Sequence, residues 1–239
     1  MSDAERPPAS SSGPLEVNAT RGVDKRQLWE DRYSKHDLSE FFWYEPGTPE
    51  ELRALFESGD RRPHGGALDL GCGPGETTTF MATHLRPVVG LDIALAAVKP
   101  ALARARAEGN PATFIVGEAP VLPFRSGAFG LVFDRGCLQS IPRQEWRRYF
   151  AEVDRVLLPG GLLQLFCSRV AQPKLLTKRG LARRARKLMG QAADHSLAET
   201  VRHFLPPAFE VIRLEERPSF TTRAGETRDA IYGLFAKPQ

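Results

Sequence analysis

The stretch Ala67-Leu-Asp-Leu-Gly-Cys-Gly-Pro-Gly-Glu-Thr77 joins a short apolar run to three closely spaced glycines. The apolar run predicts a buried strand, and the residues that follow the glycines predict a helix. Glycine at positions 71, 73 and 75 allows the backbone to turn at positive φ, and it brings peptide N–H groups against a ligand because no Cβ intervenes. This stretch therefore predicts a nucleotide-type pocket at the end of a strand.

The spacing of the glycines separates two kinds of nucleotide-type site. A dinucleotide-binding fingerprint requires its third glycine at position 76, where the helix packs closely and the pyrophosphate lies on its N-terminus. That position is Glu76, which disfavours a pyrophosphate. A glycine-rich turn without any ligand is the alternative, and the strands that follow in the sequence argue against it.

The run from Asp69 to Gly75 resembles motif I of the class I S-adenosylmethionine-dependent methyltransferases. The cofactor of that class has an adenosine and an amino-acid tail but no phosphate. The resemblance implies that the chain is a methyltransferase, and that the motif contacts S-adenosylmethionine through Asp69, Gly71, Gly73 and Gly75.

Further short apolar segments continue the pattern along the chain. They are almost continuously apolar, which indicates strands buried on both faces, and they lie at 87–92, 112–119, 129–134 and, after a Pro-Gly-Gly turn, 160–167. Segments with helical periodicity separate them, at 77–85, 94–107 and 143–157. Pro100 should kink the second of these helices or delay its start to Val98 or Lys99.

The C-terminal part predicts one more helix and two more strands. Ser196-Leu-Ala-Glu199 is a capping box that opens a short helix, and 209–217 and 228–237 are typical of strands separated by a polar turn. Such an antiparallel pair closes the sheet of the methyltransferases that the chain resembles. The sequence thus predicts an α/β fold, with a Rossmann-like, doubly wound, seven-stranded, mainly parallel sheet, a C-terminal antiparallel strand pair and an N-terminal helical lid.

Acidic residues at two predicted strand ends extend the cofactor site. Asp92 ends the second strand about 20 residues after the first glycine, where a carboxylate accepts hydrogen bonds from the ribose hydroxyls. In the resembling family an acid after the third strand bonds the adenine amino group, and Glu118 takes that place. The family more often has aspartate there, so the longer side chain shifts the contact toward the backbone of Ala119. The resemblance also assigns Ile93 to the cofactor.

The N-terminal residues 24–58 predict the lid. Trp29 and Tyr33 recur at helical spacing, Thr48-Pro-Glu-Glu51 opens another helix, and four adjacent aromatics, Phe41-Phe-Trp-Tyr44, lie between the two. These aromatics either line a cleft or form a satellite apolar cluster. The order of these features is similar to the lid of the thiopurine, halide and tellurite-resistance methyltransferases. That resemblance assigns Trp29, Tyr33 and Trp43 to the cofactor and Phe42, Trp43 and Tyr44 to the acceptor.

The turn after the fourth strand, Asp134-Arg-Gly136, sharpens this resemblance. It assigns Asp134 and Arg135 to the cofactor and to the orientation of the acceptor, and Gln139 and Arg169 to acceptor binding. Small-molecule O-methyltransferases often have a histidine a few residues after this strand, but here the position is Gln139. Asp134 is then the alternative base, although an acid at a strand end beside the cofactor more often orients a ligand.

The absence of a histidine at that position favours an acceptor that needs no general base, such as a thiol or another soft anion, with Arg135 orienting an anionic group. The sequence therefore favours direct in-line methyl transfer to a small molecule. An O- or N-methyltransferase of a metabolite or natural product is the alternative. A third possibility is an RNA-associated methyltransferase or a regulatory protein that binds the cofactor.

The segment 170–195 is a predicted basic helical insertion. It has seven cations and no acid between Lys174 and Lys187, and apolar residues recur in it at helical spacing. We expect either a solvated face or a mobile lid that gathers anionic acceptors. Nucleic-acid binding is disfavoured because the segment has no interleaved aromatics for base stacking.

Length and composition predict one domain, 21–239, after a disordered tail at 1–20. The chain has 239 residues of which 41% are apolar, and no apolar run approaches the roughly 20 residues of a membrane span, so no membrane partner is predicted. The tail has no apolar core of a signal peptide, and the three cysteines lack metal-ligand spacing. We expect a cytoplasmic protein without a metal. The sequence leaves the oligomeric state open.

Overall fold

The computed structural model describes residues 24–41, 44, 46–57, 61–168, 197–221 and 227–239, with the side chains of 217–221 and 227–229 excepted. The predictions for the 1–20 tail, the 170–195 insertion, Phe42, Trp43 and Arg169 lie outside these residues.

Helices and strands alternate through most of the described chain. The helices are α1 (Lys25–Lys35), α2 (Glu50–Glu57), α3 (Glu76–Met81), α4 (Leu95–Ala107), α5 (Trp146–Val156) and α6 (Leu197–Phe204). The strands are β1 (Ala67–Leu70), β2 (Val88–Asp92), β3 (Thr113–Val116), β4 (Phe129–Arg135), β5 (Leu157–Ser168), β6 (Glu210–Thr221) and β7 (Thr227–Ala236).

The strands form one seven-stranded sheet in the order β3-β2-β1-β4-β5-β7-β6. The first five strands in the chain are mutually parallel, and β7 pairs antiparallel with both β5 and β6. This architecture confirms the predicted α/β fold with its C-terminal antiparallel pair. The strand order reverses between β1 and β4, and in open α/β sheets ligands bind at the carboxyl ends of the strands beside such a point.

Apolar residues cover both faces of the sheet. On one face α5 buries Tyr149, Phe150 and Val153 against β4, β5 and β7. On the other face α2, α3 and α4 pack together, with Leu52 of α2 fully buried. The predicted lid segment therefore divides into two parts: α2 belongs to the core, whereas α1 packs against α4.

Two local predictions differ from the structure. The helix α4 begins at Leu95 and contains Pro100, so the predicted late start is wrong. In the first turn of α4, the Ala96 N–H donates a hydrogen bond to the Glu30 carboxylate of α1 at 3.1 Å. This side chain from outside the helix thus provides an acceptor at the start of α4. The Pro-Gly-Gly sequence does not precede β5 but lies within it, where the pairing with β4 shifts register between Phe129 and Leu131.

Candidate functional site

The glycine loop follows β1 and is bonded to the end of β2. Gly71, Gly73 and Gly75 all have positive φ, at 68°, 49° and 80°. The Gly71 N–H donates to the Leu91 carbonyl at 2.8 Å, and the Gly73 N–H donates to Asp92 Oδ2 at 2.9 Å. The loop is therefore ordered by the neighbouring strand as well as by its own turns.

Asp92 lies at the carboxyl end of β2, next to the point where the strand order reverses. Its Oδ1 accepts a hydrogen bond from the Ala94 N–H at 2.9 Å, and its side chain is 5% exposed. Burial raises the pKa of this carboxyl above its usual value, against the effect of the backbone N–H donors. Each carboxylate oxygen still has a second lone pair, so Asp92 can also accept from a ligand hydroxyl.

Asp69 in β1 has a different set of partners from Asp92. Its Oδ2 accepts hydrogen bonds from the hydroxyls of Thr77 and Thr78, both at 2.6 Å. Burial raises the pKa of Asp69 to about 6 although these two hydroxyls oppose the shift. Asp69 thus joins β1 to the first turn of α3, and its predicted contact with the cofactor stays a prediction.

Tyr33 of α1 lies on the glycine loop. A Cβ built on Gly73 would lie 2.8 Å from the Tyr33 hydroxyl oxygen, so a larger residue would displace this side chain. Burial raises the pKa of Tyr33 well above its usual value, and the nearby charge of Asp92 acts in the same direction. The structure thus brings together three predicted site residues, Tyr33, Gly73 and Asp92.

Polar contacts hold α1 across the carboxyl edge of the sheet. Arg26 pairs with Glu118 at 3.4 Å, and Lys25 pairs with Glu145 at 3.8 Å. In both pairs the side chains are well exposed, so each contributes about 0–1 kcal/mol. No apolar residue of α1 is fully buried, and its aromatic residues Trp29 and Tyr33 are half-buried, so α1 lies over the predicted cofactor site as a cover outside the core.

The aromatic residues of the described N-terminal segment form a chain of ring contacts. Trp29 stacks on Tyr33 with ring centroids 5.9 Å apart, and Tyr33 contacts the edge of Phe41 at 6.1 Å. Phe41 is buried. Tyr44 has a different position, because its hydroxyl donates to Glu76 Oε1 at 2.6 Å and its pKa is raised to about 12 by that bond.

Glu76 is predicted to hold the segment after α1 in place. Its second carboxylate oxygen accepts from the Gly47 N–H at 2.9 Å, so Glu76→Ala removes two charge-assisted bonds at once. We expect the Gly47 amide to exchange with solvent at least about tenfold faster, which is about 1.4 kcal/mol. Amide hydrogen exchange measures this, with Tyr44→Phe as the matched control that loses one of the two bonds. Unchanged exchange at Gly47 would show that the segment is held by other contacts.

Arg32 of α1 is a residue that the sequence analysis missed. It is 5% exposed, and its guanidinium carbon lies 4.7 Å from the centroid of the Trp29 ring. Among the described residues, its Nε and Nη1 atoms have no hydrogen-bond partner. The sequence shows this arginine between the two aromatic residues of the Trp29-Glu-Asp-Arg-Tyr33 run. Helical spacing alone does not tell whether such an arginine is buried or solvated.

Asp134 at the end of β4 is fully buried and bonded within the protein. Its Oδ1 accepts from the Cys137 N–H at 2.9 Å, and its Oδ2 accepts from the Tyr149 hydroxyl at 2.7 Å and the Leu138 N–H at 3.1 Å. Burial raises its pKa to about 7 despite these donors. This arrangement favours a structural role in which Asp134 fixes the turn after β4. Its predicted contacts with cofactor and acceptor stay predictions.

Two further predicted residues lie close to this turn. Arg135 is half-buried, with its guanidinium carbon 5.6 Å from the centroid of the Phe166 ring. Gln139 Oε1 accepts hydrogen bonds from the backbone N–H and the hydroxyl of Ser168, at 2.6 and 2.7 Å. Gln139 therefore positions the end of β5, immediately before the predicted acceptor residue at 169.

The remaining predicted cofactor residues lie at the ends of β2 and β3. Ile93 follows Asp92 and is half-buried. Glu118 is exposed, and Ala119 is buried. The Gly117 N–H donates to the Asp92 carbonyl at 2.9 Å, which holds the ends of both strands together. These positions agree with a site for the adenosine part of a nucleoside cofactor.

The family model of the methyltransferase domain matches residues 67–161, which include the glycine loop, Asp92, Glu118 and Asp134. Residues 67–161 are thus similar to methyltransferase domains. S-adenosylmethionine is the cofactor that such a domain implies, and two observations of the described residues agree with it. A Cβ at Gly73 would lie 2.8 Å from the Tyr33 hydroxyl oxygen, and Arg32, which precedes Tyr33 in α1, has buried Nε and Nη1 donors with no hydrogen-bond partner among the described residues.

Relatives and solved structures agree with this domain. The chain is 39% identical over 98 residues to an uncharacterized methyltransferase of Synechocystis, with 41% of this chain and 44% of that protein covered. It is 32% identical over 117 residues to 2-heptyl-1-hydroxyquinolin-4(1H)-one methyltransferase of Mycobacteroides abscessus, with 48% of this chain and 51% of the relative covered. The chain thus spans about half the length of these curated relatives.

Two solved structures show the same fold over most of the chain. One comes from work on the conversion of a disulfide bond into a thioacetal group during echinomycin biosynthesis, with a TM-score of 0.65, 21% identity, and 90% of this chain and 93% of that chain covered. The other is phosphoethanolamine N-methyltransferase 2 of Haemonchus contortus in complex with S-adenosylmethionine, with a TM-score of 0.62, 19% identity, and 92% and 61% covered. Within the described residues, no helix combines the length and apolarity needed to cross a membrane.

Proposed function

We propose that the protein is an S-adenosylmethionine-dependent methyltransferase that acts on a small molecule, with a thiol or another soft anion as the acceptor. The observation that carries the proposal is the position of Asp92. It lies bonded to the glycine loop where the strand order reverses, inside a methyltransferase domain.

The partners of the side chains after β4 support an acceptor that needs no enzyme base. Both oxygens of Asp134 accept hydrogen bonds from the protein, and Gln139 is bonded to Ser168. Burial raises the pKa of the Cys137 thiol well above its usual value, so the thiol stays protonated. Because the thiolate is the nucleophilic form, Cys137 lines the site and does not act as a nucleophile.

The described histidines do not supply a base either. His36 pairs with Glu40, His84 packs against Phe80, His203 contacts Phe204 of α6, and His64 is exposed in the segment before β1. Within the described residues, no histidine has a hydrogen bond or ring contact with the glycine loop or Asp92. A thiolate acceptor requires no such base, because it is already a strong nucleophile.

In this reaction the protein has two tasks: it holds the cofactor and the acceptor in the correct relative position, and it excludes water. S-adenosylmethionine supplies an electrophilic methyl group on its sulfonium. When bound, the cofactor would supply this methyl group to the acceptor, and the electron pair of the broken sulfur–carbon bond would remain on the cofactor sulfur. In this proposal Asp92 and the glycine loop hold the cofactor, while α1 with Tyr33 covers it and excludes water.

The resemblance of two sequence segments to one group of methyltransferases supports a thiol or another soft anion as the methyl acceptor. Trp29-Glu-Asp-Arg-Tyr33 and Asp134-Arg-Gly136 resemble the lid and the turn of the thiopurine, halide and tellurite-resistance methyltransferases. The cation Arg135 at the second segment suits an acceptor with an anionic group. We further propose a reducing, cytoplasmic location, which the three free cysteines support.

A second candidate is an O- or N-methyltransferase of a metabolite or natural product. The names of two relatives favour it: the quinolone-derivative methyltransferase of Mycobacteroides abscessus, and norajmaline N-methyltransferase of Rauvolfia serpentina, which is 30% identical over 156 residues. In this case the acceptor would have to lose its proton to solvent, or Asp134, after a rearrangement of its bonds, would have to accept that proton.

The pH dependence of the rate separates the two candidates. We expect kcat/KM for thiols to rise with pH in parallel with the thiolate fraction of each substrate, because no group of the enzyme removes the proton. Two thiols of different pKa should therefore give profiles displaced by their pKa difference. Gln139→Ala should lower kcat far less than the roughly 10²- to 10⁴-fold typical of a lost general base. A midpoint common to both thiols would favour an enzyme base and the second candidate.

A further inference from the structure

Arg32 combines deep burial with an incomplete set of partners. Its side chain is 5% exposed, and its Nε and Nη1 atoms have no hydrogen-bond partner among the described residues. The face of the Trp29 ring supplies one favourable contact. A guanidinium has five N–H donors and stays charged in proteins, so this contact leaves most of its hydrogen-bonding capacity unused.

The residue that follows Arg32 in α1 lies against the glycine loop. The neighbouring residue Tyr33 lies with its hydroxyl against Gly73, and the groups that influence the titration of this hydroxyl include both Asp92 and Arg32. The guanidinium is thus a buried cation on the helix that covers the cofactor site. Burial lowers its pKa, which shows that the surroundings disfavour the charged form when no anion is near.

The cofactor has one group that matches these donors. S-adenosylmethionine has no phosphate, so the carboxylate of its amino-acid tail is its single anionic group. A planar carboxylate fits the paired N–H donors of a guanidinium better than any neutral group of the cofactor. At the adenosine end, acidic residues are already in place, namely Asp92 and Glu118.

We propose that Arg32 binds the carboxylate of the amino-acid tail of S-adenosylmethionine, and that closure of α1 over the site therefore depends on this carboxylate. The inference rests on the proposed function, since it requires that S-adenosylmethionine binds at the glycine loop. With the helix closed and no anion present, Arg32 is a buried, unpaired charge, which is costly. The ion pairs of α1 with Glu145 and Glu118 are exposed and weak, so they offset little of this cost.

Amide hydrogen exchange with a matched pair of ligands tests the proposal. S-adenosylmethionine and decarboxylated S-adenosylmethionine share every group except the carboxylate. In the unmodified protein, both should slow exchange in the glycine loop at saturation, but S-adenosylmethionine should slow exchange in α1 at least about tenfold more. Equal protection of α1 by both ligands would overturn the proposal. If neither ligand protects residues 71–75, the proposed function itself fails.

Variants of Arg32 separate ligand binding from a structural role. In Arg32→Met, the two ligands should bind with equal affinity, whereas the unmodified protein should favour S-adenosylmethionine at least tenfold by calorimetry. Without ligand, Arg32→Met should also exchange more slowly in α1, because no charge opposes closure. A merely structural arginine predicts faster exchange. Arg32→Lys keeps the charge without the planar fork and should retain part of the preference. Full retention of the preference in Arg32→Met would refute the assignment.

Discussion

Asp92→Ala is expected to reduce the affinity for S-adenosylhomocysteine, the demethylated cofactor, by about 100-fold, or about 3 kcal/mol. The variant removes the carboxylate that we propose accepts hydrogen bonds from the two ribose hydroxyls. It also removes the acceptor of the Gly73 N–H, which orders the glycine loop. Isothermal titration calorimetry measures the affinity directly, without knowledge of the acceptor.

Two comparisons make the Asp92 prediction specific. Asp92→Asn keeps one carbonyl oxygen as an acceptor and should fall between the unmodified protein and Asp92→Ala. Asp31→Asn changes an exposed carboxyl of α1 that pairs with Lys35, and it should leave the affinity within about twofold. Tight binding of NAD together with no binding of S-adenosylhomocysteine would contradict the assignment of the site.

Asp134→Ala is expected to destabilise the fold by about 3 kcal/mol or more at pH 5. The variant leaves the N–H groups of Cys137 and Leu138 and the hydroxyl of Tyr149 without their acceptor, and each unpaired buried donor costs about 1–3 kcal/mol. Urea unfolding measures the free energy. The control Tyr149→Phe removes one donor and its bond together, and it should cost about 1 kcal/mol.

The effect of Asp134 should depend on pH in a defined direction. Its pKa is about 7 in the folded protein and about 3.9 in the unfolded chain, so the folded state binds more protons between these values. The contribution of Asp134 is fully present below about pH 4 and is lost as the pH rises through 7. The pKa of Asp69 is also raised, to about 6, so Asp69 likewise makes the folded state less stable as the pH rises. Asp134→Ala should therefore flatten the decline of stability between pH 4 and 7. An equally steep decline in the variant would show that other groups cause it.

Most of the fold was predictable because its signals are local in the sequence. The apolar segments that end at Leu70, Asp92 and Asp134 are strands buried on both faces, and their character does not depend on distant contacts. The glycine loop was predictable for the same reason, since its positive φ values require glycine at fixed spacing. The comparisons confirm the class I methyltransferase fold but not the thiopurine, halide and tellurite-resistance group, which stays a proposal.

The features that were missed depend on contacts between distant parts of the chain. The start of α4 receives an acceptor from Glu30, 66 residues earlier, and no local pattern reports that bond. Glu76 served in the sequence only as an argument against a pyrophosphate, yet it binds Tyr44 and Gly47. Arg32 is recognisable only when burial and missing partners are known together.

The lack of buried apolar residues in α1 has a thermodynamic consequence. Exposure of apolar surface gives protein unfolding its large positive heat capacity change, and thereby the curved dependence of stability on temperature. Lifting α1 exposes Arg32 and breaks ion pairs, and the apolar residues of α1 itself that it uncovers, Leu28, Trp29 and Tyr33, are already partly exposed. Its opening therefore has a much smaller heat capacity change than unfolding of the whole domain. The fraction of molecules with an accessible site should accordingly vary smoothly with temperature, even where the stability of the whole domain passes through its maximum.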